Sequence, residues 1–177
     1  MKEQNRDGSW GNHTRTKGLN VLCPYPEGPR SFRTASTSLC VIGLLTSPLK
    51  EDPTVKASLD KALQYLLTTL PTLKRGDTRT VLGVWGHAYG LSALSRAARN
   101  LPADAPLREE LKKVASLQVK ALDQMADVQG GWGYYTFETF SKRPIGEPTS
   151  FLTATVLLAY KDAEQAFGLK AEPRVVK

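Results

Sequence analysis

The sequence predicts an all-α domain in which helices buried on every side alternate with amphipathic ones. Three observations carry the prediction. Apolar residues recur at three- and four-residue steps rather than in alternation. Pro and Gly gather in three stretches, Cys23 to Pro29, Arg75 to Gly86 and Lys142 to Pro148, and punctuate that pattern. A segment containing Gln, Gly and Trp near the start is echoed late in the chain. With 177 residues and 41% apolar content there is enough chain to fill one core and too little for two ordinary domains, so residues 1–177 read as one domain.

The first helix is expected over Thr34 to Thr46, where Leu39 to Leu45 is apolar or small on nearly every side. The second, Thr54 to Leu70, sets Val55, Leu59, Leu63, Leu66 and Leu70 on one stripe and Lys56, Asp60, Lys61 and Gln64 opposite. The third, Gly86 to Leu101, is rich in small residues that let neighbours approach. The fourth, Pro106 to Val128, repeats the amphipathic design, with Leu111, Val114, Gln118, Leu122 and Met125 opposite Glu109, Lys112, Lys113 and Lys120. The fifth, Thr149 to Phe167, is again apolar all round through Phe151 to Ala159, and a sixth begins at Glu172. Such alternation predicts two concentric shells, because an inner helix buries both flanks while an outer helix buries only its inward face.

The repeat comprises Gln4, Asp7, Gly8 and Trp10 in the first copy and Gln129, Gly131 and Trp132 in the second, which is shorter between Gln and Trp. Gly83-Val84-Trp85-Gly86 reads as a degraded third copy before the third helix. Glycines allow the tight turn, each Trp offers a large amphipathic surface, and each Gln amide can bond a free helix end. These segments resemble the QW repeat of squalene-hopene cyclases, and the chain is similar to the prenyltransferase and squalene oxidase repeat proteins of the terpenoid cyclase and protein prenyltransferase superfamily. The resemblance implies an α/α toroid of helical hairpins, with the repeat serving as a structural clasp that ties outer helices together. Five helices and a stub amount to about half of such a ring, so the flanks of the first and fifth helices are expected to seek either a second copy or a further stretch of chain.

Catalysis in the family that the chain resembles depends on carboxylate motifs. No Asp-x-Asp-Asp string for protonation and no Asp-Asp-x-x-Asp string for magnesium occurs here. Asp123 and Asp127 are expected on the wet face of the fourth helix. His13, Cys23, Cys40 and His87 show no zinc-ligand spacing, so no catalytic residue, metal site or cofactor is predicted. If the toroid reading holds, the N-termini of the inner helices face a central cavity whose rim carries Trp85, His87, Tyr89, Ser38, Ser150 and Phe151. The expected function is therefore a module that holds an apolar ligand or a protein partner there. The alternative is one part of a cyclase- or prenyltransferase-type enzyme whose catalytic acids lie on another segment or chain.

The formal charge of +7 is spread over the whole chain in isolated residues and short pairs, the pattern of a solvated surface and not of a nucleic-acid interface. No apolar run approaches the roughly 20 residues that a membrane span needs, and no apolar region of signal-peptide type follows Met1. A cytoplasmic, reducing compartment is the corresponding expectation.

Overall fold

A computed structural model describes residues 3–12, 26–75, 81–136 and 143–175, and over these residues the protein is all-helical. Five α-helices follow one another: α1 (Glu27–Thr46), α2 (Pro53–Thr69), α3 (Gly83–Arg99), α4 (Pro106–Met125) and α5 (Ser150–Phe167). Short 3-10 turns follow α2 at Leu70–Thr72 and α5 at Pro173–Val175, the latter in place of the expected start of a sixth helix.

Local chemistry explains most boundaries. Asp52 caps α2 by accepting the amides of Thr54 and Val55, with Pro53 at the first helical position where a missing N–H costs nothing. Gly168 ends α5 in the left-handed conformation, its N–H bonded to Glu164 O. α1 starts seven residues before the expected Thr34, because Pro29 falls in its first turn, where proline is tolerated. α4 stops at Met125, since Asp127 N turns away to bond Gly131 O.

α3 lies between α1 and α5, with α2 packed on α1 and α4 packed on α3. Every residue of α3 is buried except Trp85, Tyr89, Arg96 and Arg99. The expectation of burial all round comes nearest to holding for α3, which still leaves one face open at Trp85 and Tyr89. α1 exposes Phe32 and Leu39, and α5 exposes Phe151, Leu157 and Leu158, because each flanks α3 on one side and has no further helix beyond it among the described residues. The amphipathic readings of α2 and α4 match the burial: Leu63, Leu66, Leu111 and Leu122 lie in the core, while Lys56, Lys61, Lys112 and Lys120 face water.

α3 and α5 run side by side in the same direction with a constant register. Arg96 Nε to Asp162 (2.9 Å), Arg99 Nη1 to Gln165 and the stacked Trp85–Phe151 pair each join residues 66 positions apart. Arg108 of α4 locks the same pair at the other end, donating to Ala98 O in the last turn of α3 and to Ala166 O in the last turn of α5. Its guanidinium lies over the Phe167 ring.

Candidate functional site

The face of α3 that no neighbour covers carries the largest aromatic cluster in the described residues. Trp85 and Tyr89, one turn apart and so on one side of the helix, are stacked at 5.5 Å with an interplanar angle of 12°. Phe151 in the first turn of α5 stacks on Trp85 at 6.0 Å. Tyr134, brought in by the loop after Trp132, completes the group at 6.1 Å from Trp85 and 6.0 Å from Phe151. Burial among these rings pushes the Tyr134 hydroxyl above its usual pKa. Beside the cluster, Phe32 and Leu39 of α1 form the far wall of an open groove of about 350 Å³ whose near wall is Trp85, Tyr89 and Tyr134. Phe32 at 40% and Phe151 at 54% exposure leave a wide apolar shelf open to solvent.

Of the six residues expected at a cavity rim, Trp85, Tyr89 and Phe151 come together in this shelf. Ser150 is exposed at the first position of α5. Ser38 and His87 are buried elsewhere. Ser38 donates to Thr34 O within its own helix and is fully inaccessible. His87 follows Trp85 by two residues, about 200° around a helix of 3.6 residues per turn, so it points away from the shelf and toward α4. There its Nδ1 bonds Gln118 Oε1 at 2.7 Å, while Gln118 Nε2 donates to Val114 O. This arrangement makes Nδ1 the protonated nitrogen and leaves Nε2 buried without a hydrogen-bond partner. Burial holds the His87 pKa below its ordinary value, against the opposing pull of the Gln118 bond.

No family model, curated protein or solved structure matches this chain.

The two Trp segments are loops of one design, in a register that differs from the one the Gln residues suggest. Asn5 N donates to Ser9 O and Gly8 N to Asn5 O; Asp127 N donates to Gly131 O and Gly130 N to Asp127 O. Asn5 thus corresponds to Asp127, Gly8 to Gly130 and Trp10 to Trp132, so Gln129 stands opposite Asp7 and not opposite Gln4. In each loop the Trp amide donates to a Thr hydroxyl of the adjoining helix, Thr37 at 2.9 Å and Thr153 at 3.1 Å. Gln4 bonds Ser58 O in the middle of α2, and Gln129 is exposed. The carbonyl at a free helix end is met instead by Trp132, whose Nε1 donates to Leu122 O in the last turn of α4. The clasps therefore join α1 to α2 and α4 to α5. The Gly83 to Gly86 segment is no third loop: it forms the first turn of α3.

Asp7 accepts from Ser9 and pairs with Arg33 at 2.7 Å; burial raises its pKa, but these partners outweigh that and hold it below the usual carboxylate value. Asp123 and Asp127 correct the expectation of a wet face. Asp123, 5% exposed, accepts from Tyr160 Oη at 2.8 Å, and burial raises its pKa. Asp127 accepts from Gln129 N and Gly146 N and shapes the second loop. Among the described residues no group of three His, Cys, Asp or Glu side chains is placed to hold a metal ion, and no helix is long and apolar enough to cross a membrane. Cys40 is half-buried on α1, with its thiol pKa raised by burial; His13 and Cys23 lie outside the described residues.

Proposed function

We propose that the five helices form an arc of an α/α toroid, with α1, α3 and α5 inside and α2 and α4 outside, and that the aromatic shelf on the inner face holds an apolar ligand. One observation carries the reading: Trp85, Tyr89, Tyr134 and Phe151, drawn from two helices and a loop, converge on the single uncovered face of an otherwise buried helix. Large aromatics left half-open at the centre of a packed row lose hydration free energy that an apolar occupant recovers, on the order of 25 cal/mol per Å² covered. Ring faces without charged residues among them favour a flat or chain-like hydrocarbon over an ion.

Titration with farnesol, followed by the emission of Trp85, tests the proposal, because Trp10 and Trp132 are buried and report little on this face. Saturable binding at micromolar concentration, weakened about tenfold or more by Tyr134→Ser or Phe151→Ser, is the expected result. A linear, unsaturable response, equal in wild type and variants, overturns it.

A further inference from the structure

The register between helices identifies which flanks of α1 and α5 stay open where the equivalent flanks of α3 are covered. Thr37 and Thr153 are equivalent, since each receives the amide of its Trp loop, and α3 aligns with α5 at a spacing of 66 residues. Carrying both alignments along the helices places Val41, Leu91 and Leu157 at one position. Ile42, Ser92 and Leu158 share the next, and Ser38, Ala88 and Ala154 a third. In α1 and α3 most of these positions are covered: Ser38, Val41, Ala88 and Leu91 are fully inaccessible, Ser92 is 7% exposed, and Ile42 is half-buried. In α5 the same positions are open, with Leu157 at 44% and Leu158 at 62% exposure.

The opposite flank of the row behaves in the complementary way. Gly86, Gly90 and Ala93 of α3 form a small-residue stripe that the preceding elements cover: a β-carbon at Gly90 would collide with Leu70, and one at Gly86 with Leu73 and Ser31. The equivalent residues of α5, Leu152, Val156 and Ala159, are fully buried. Those of α1 are Ser36, Cys40 and Gly43, of which Ser36 and Gly43 are exposed, and a β-carbon at Gly43 would meet nothing within 4 Å. α5 thus ends the row with uncovered apolar side chains, and α1 begins it with an uncovered flank of small residues whose equivalents in α3 and α5 are both covered within the chain.

We infer that a second copy of this chain is the occupant, α5 of each copy packing on α1 of the other about a two-fold axis. Each copy supplies both the apolar knobs of α5 and the small-residue flank of α1, so a two-fold pair satisfies all four edges and leaves none to propagate. Phe32, Leu39, Phe151, Leu157 and Leu158 on or beside the two edges leave on the order of 400 Å² of apolar side chain open, about half of the ~800 Å² that each partner gives to a standard interface. Lys161, which stands where α1 has Leu45, and Glu164, two turns beyond Leu157, put charge on the knob edge. The pairing needs no ligand at the aromatic shelf, although Phe32 and Phe151 border both surfaces.

Sedimentation velocity on the 177-residue chain, with helicity followed in parallel, tests it. The wild type is expected to be a dimer at micromolar concentration. Leu158→Glu places a charge among the knobs and Gly43→Arg fills the small-residue flank where the monomer has open space, so each should weaken association at least tenfold at unchanged helicity, while Lys161→Leu strengthens it. A helical wild-type monomer at that concentration overturns the inference, as do dimers indifferent to both substitutions or open-ended oligomers.

Discussion

The two Trp loops share a backbone and differ in what holds them. In the first, side chains do the anchoring: Gln4 reaches Ser58 O of α2, and Asp7 pairs with Arg33 of α1. In the second, the indole does it through Trp132 Nε1, and Asp127 fixes the turn from within by accepting the amides of Gln129 and Gly146. One turn geometry with one Thr acceptor can be secured by an exposed ion pair and an amide, or by a buried ring, and the second solution concentrates stability in a single residue.

That contrast can be broken at its strongest point first. Trp132→Ala should destabilise the fold by about 4 kcal/mol and Trp10→Ala by about 3 kcal/mol, because Trp132 is fully buried and its loss also orphans a helix-end carbonyl. Equal shifts in chemical denaturation would show that the indole bond adds nothing. The equivalent glycines separate the loops further. Both have positive φ, but a β-carbon at Gly8 would lie 2.3 Å from Lys61 O, whereas one at Gly130 has open space. Gly8→Ala should cost about 3 kcal/mol and Gly130→Ala about 1 kcal/mol, read as thermal midpoints.

A subtler test concerns the buried imidazole between α3 and α4. The folded His87 pKa lies below the unfolded value of 6.5, so the unfolded chain takes up the proton first. Its contribution to stability is complete above that value and declines as pH falls below it toward the folded pKa. The melting temperature should drop between pH 7.5 and 5.5, with the slope reduced in His87→Leu; an identical slope in that variant refutes the assignment. The smallest effects are expected at the two glutamines. Gln4→Ala should cost about 1 kcal/mol for its two hydrogen bonds and Gln129→Ala less than about 0.5 kcal/mol, a difference that reverses if the Gln residues, and not the backbone turns, define the repeat.

Helical periodicity made the five helices legible, along with the wet faces of α2 and α4, because each of those patterns is local. Trp85, Tyr89 and Phe151 were legible as neighbours once alternate helices were placed side by side. His87 belongs to the packed, hydrogen-bonded core, the other place its sequence context offers, and not to the rim; the spacing from Trp85 contains the reason, since two residues along a helix reverse the direction of a side chain. Phe32 and Tyr134 escaped because both lay in stretches read as loops, Phe32 beyond a Pro-rich segment that the helix in fact enters. Burial of Asp123 and Asp127 was not legible at all, since Tyr160 and Gly146, which meet them, lie far along the chain.

Arg108 has a bearing on how the molecule comes apart. Rows of repeated hairpins tend to unzip from an end, each unit depending only on its neighbour. Here one guanidinium on α4 ties the final turns of α3 and α5 together, and the residue it reaches in α5 is 58 positions away in sequence. Fraying of α5 strips α4 of an anchor in its own first turns, so the loss is felt two helices inward at once. Amide exchange in α4 and α5 should accordingly report one shared opening event, with the last three helices behaving as a single cooperative block while α1 and α2 remain free to open separately.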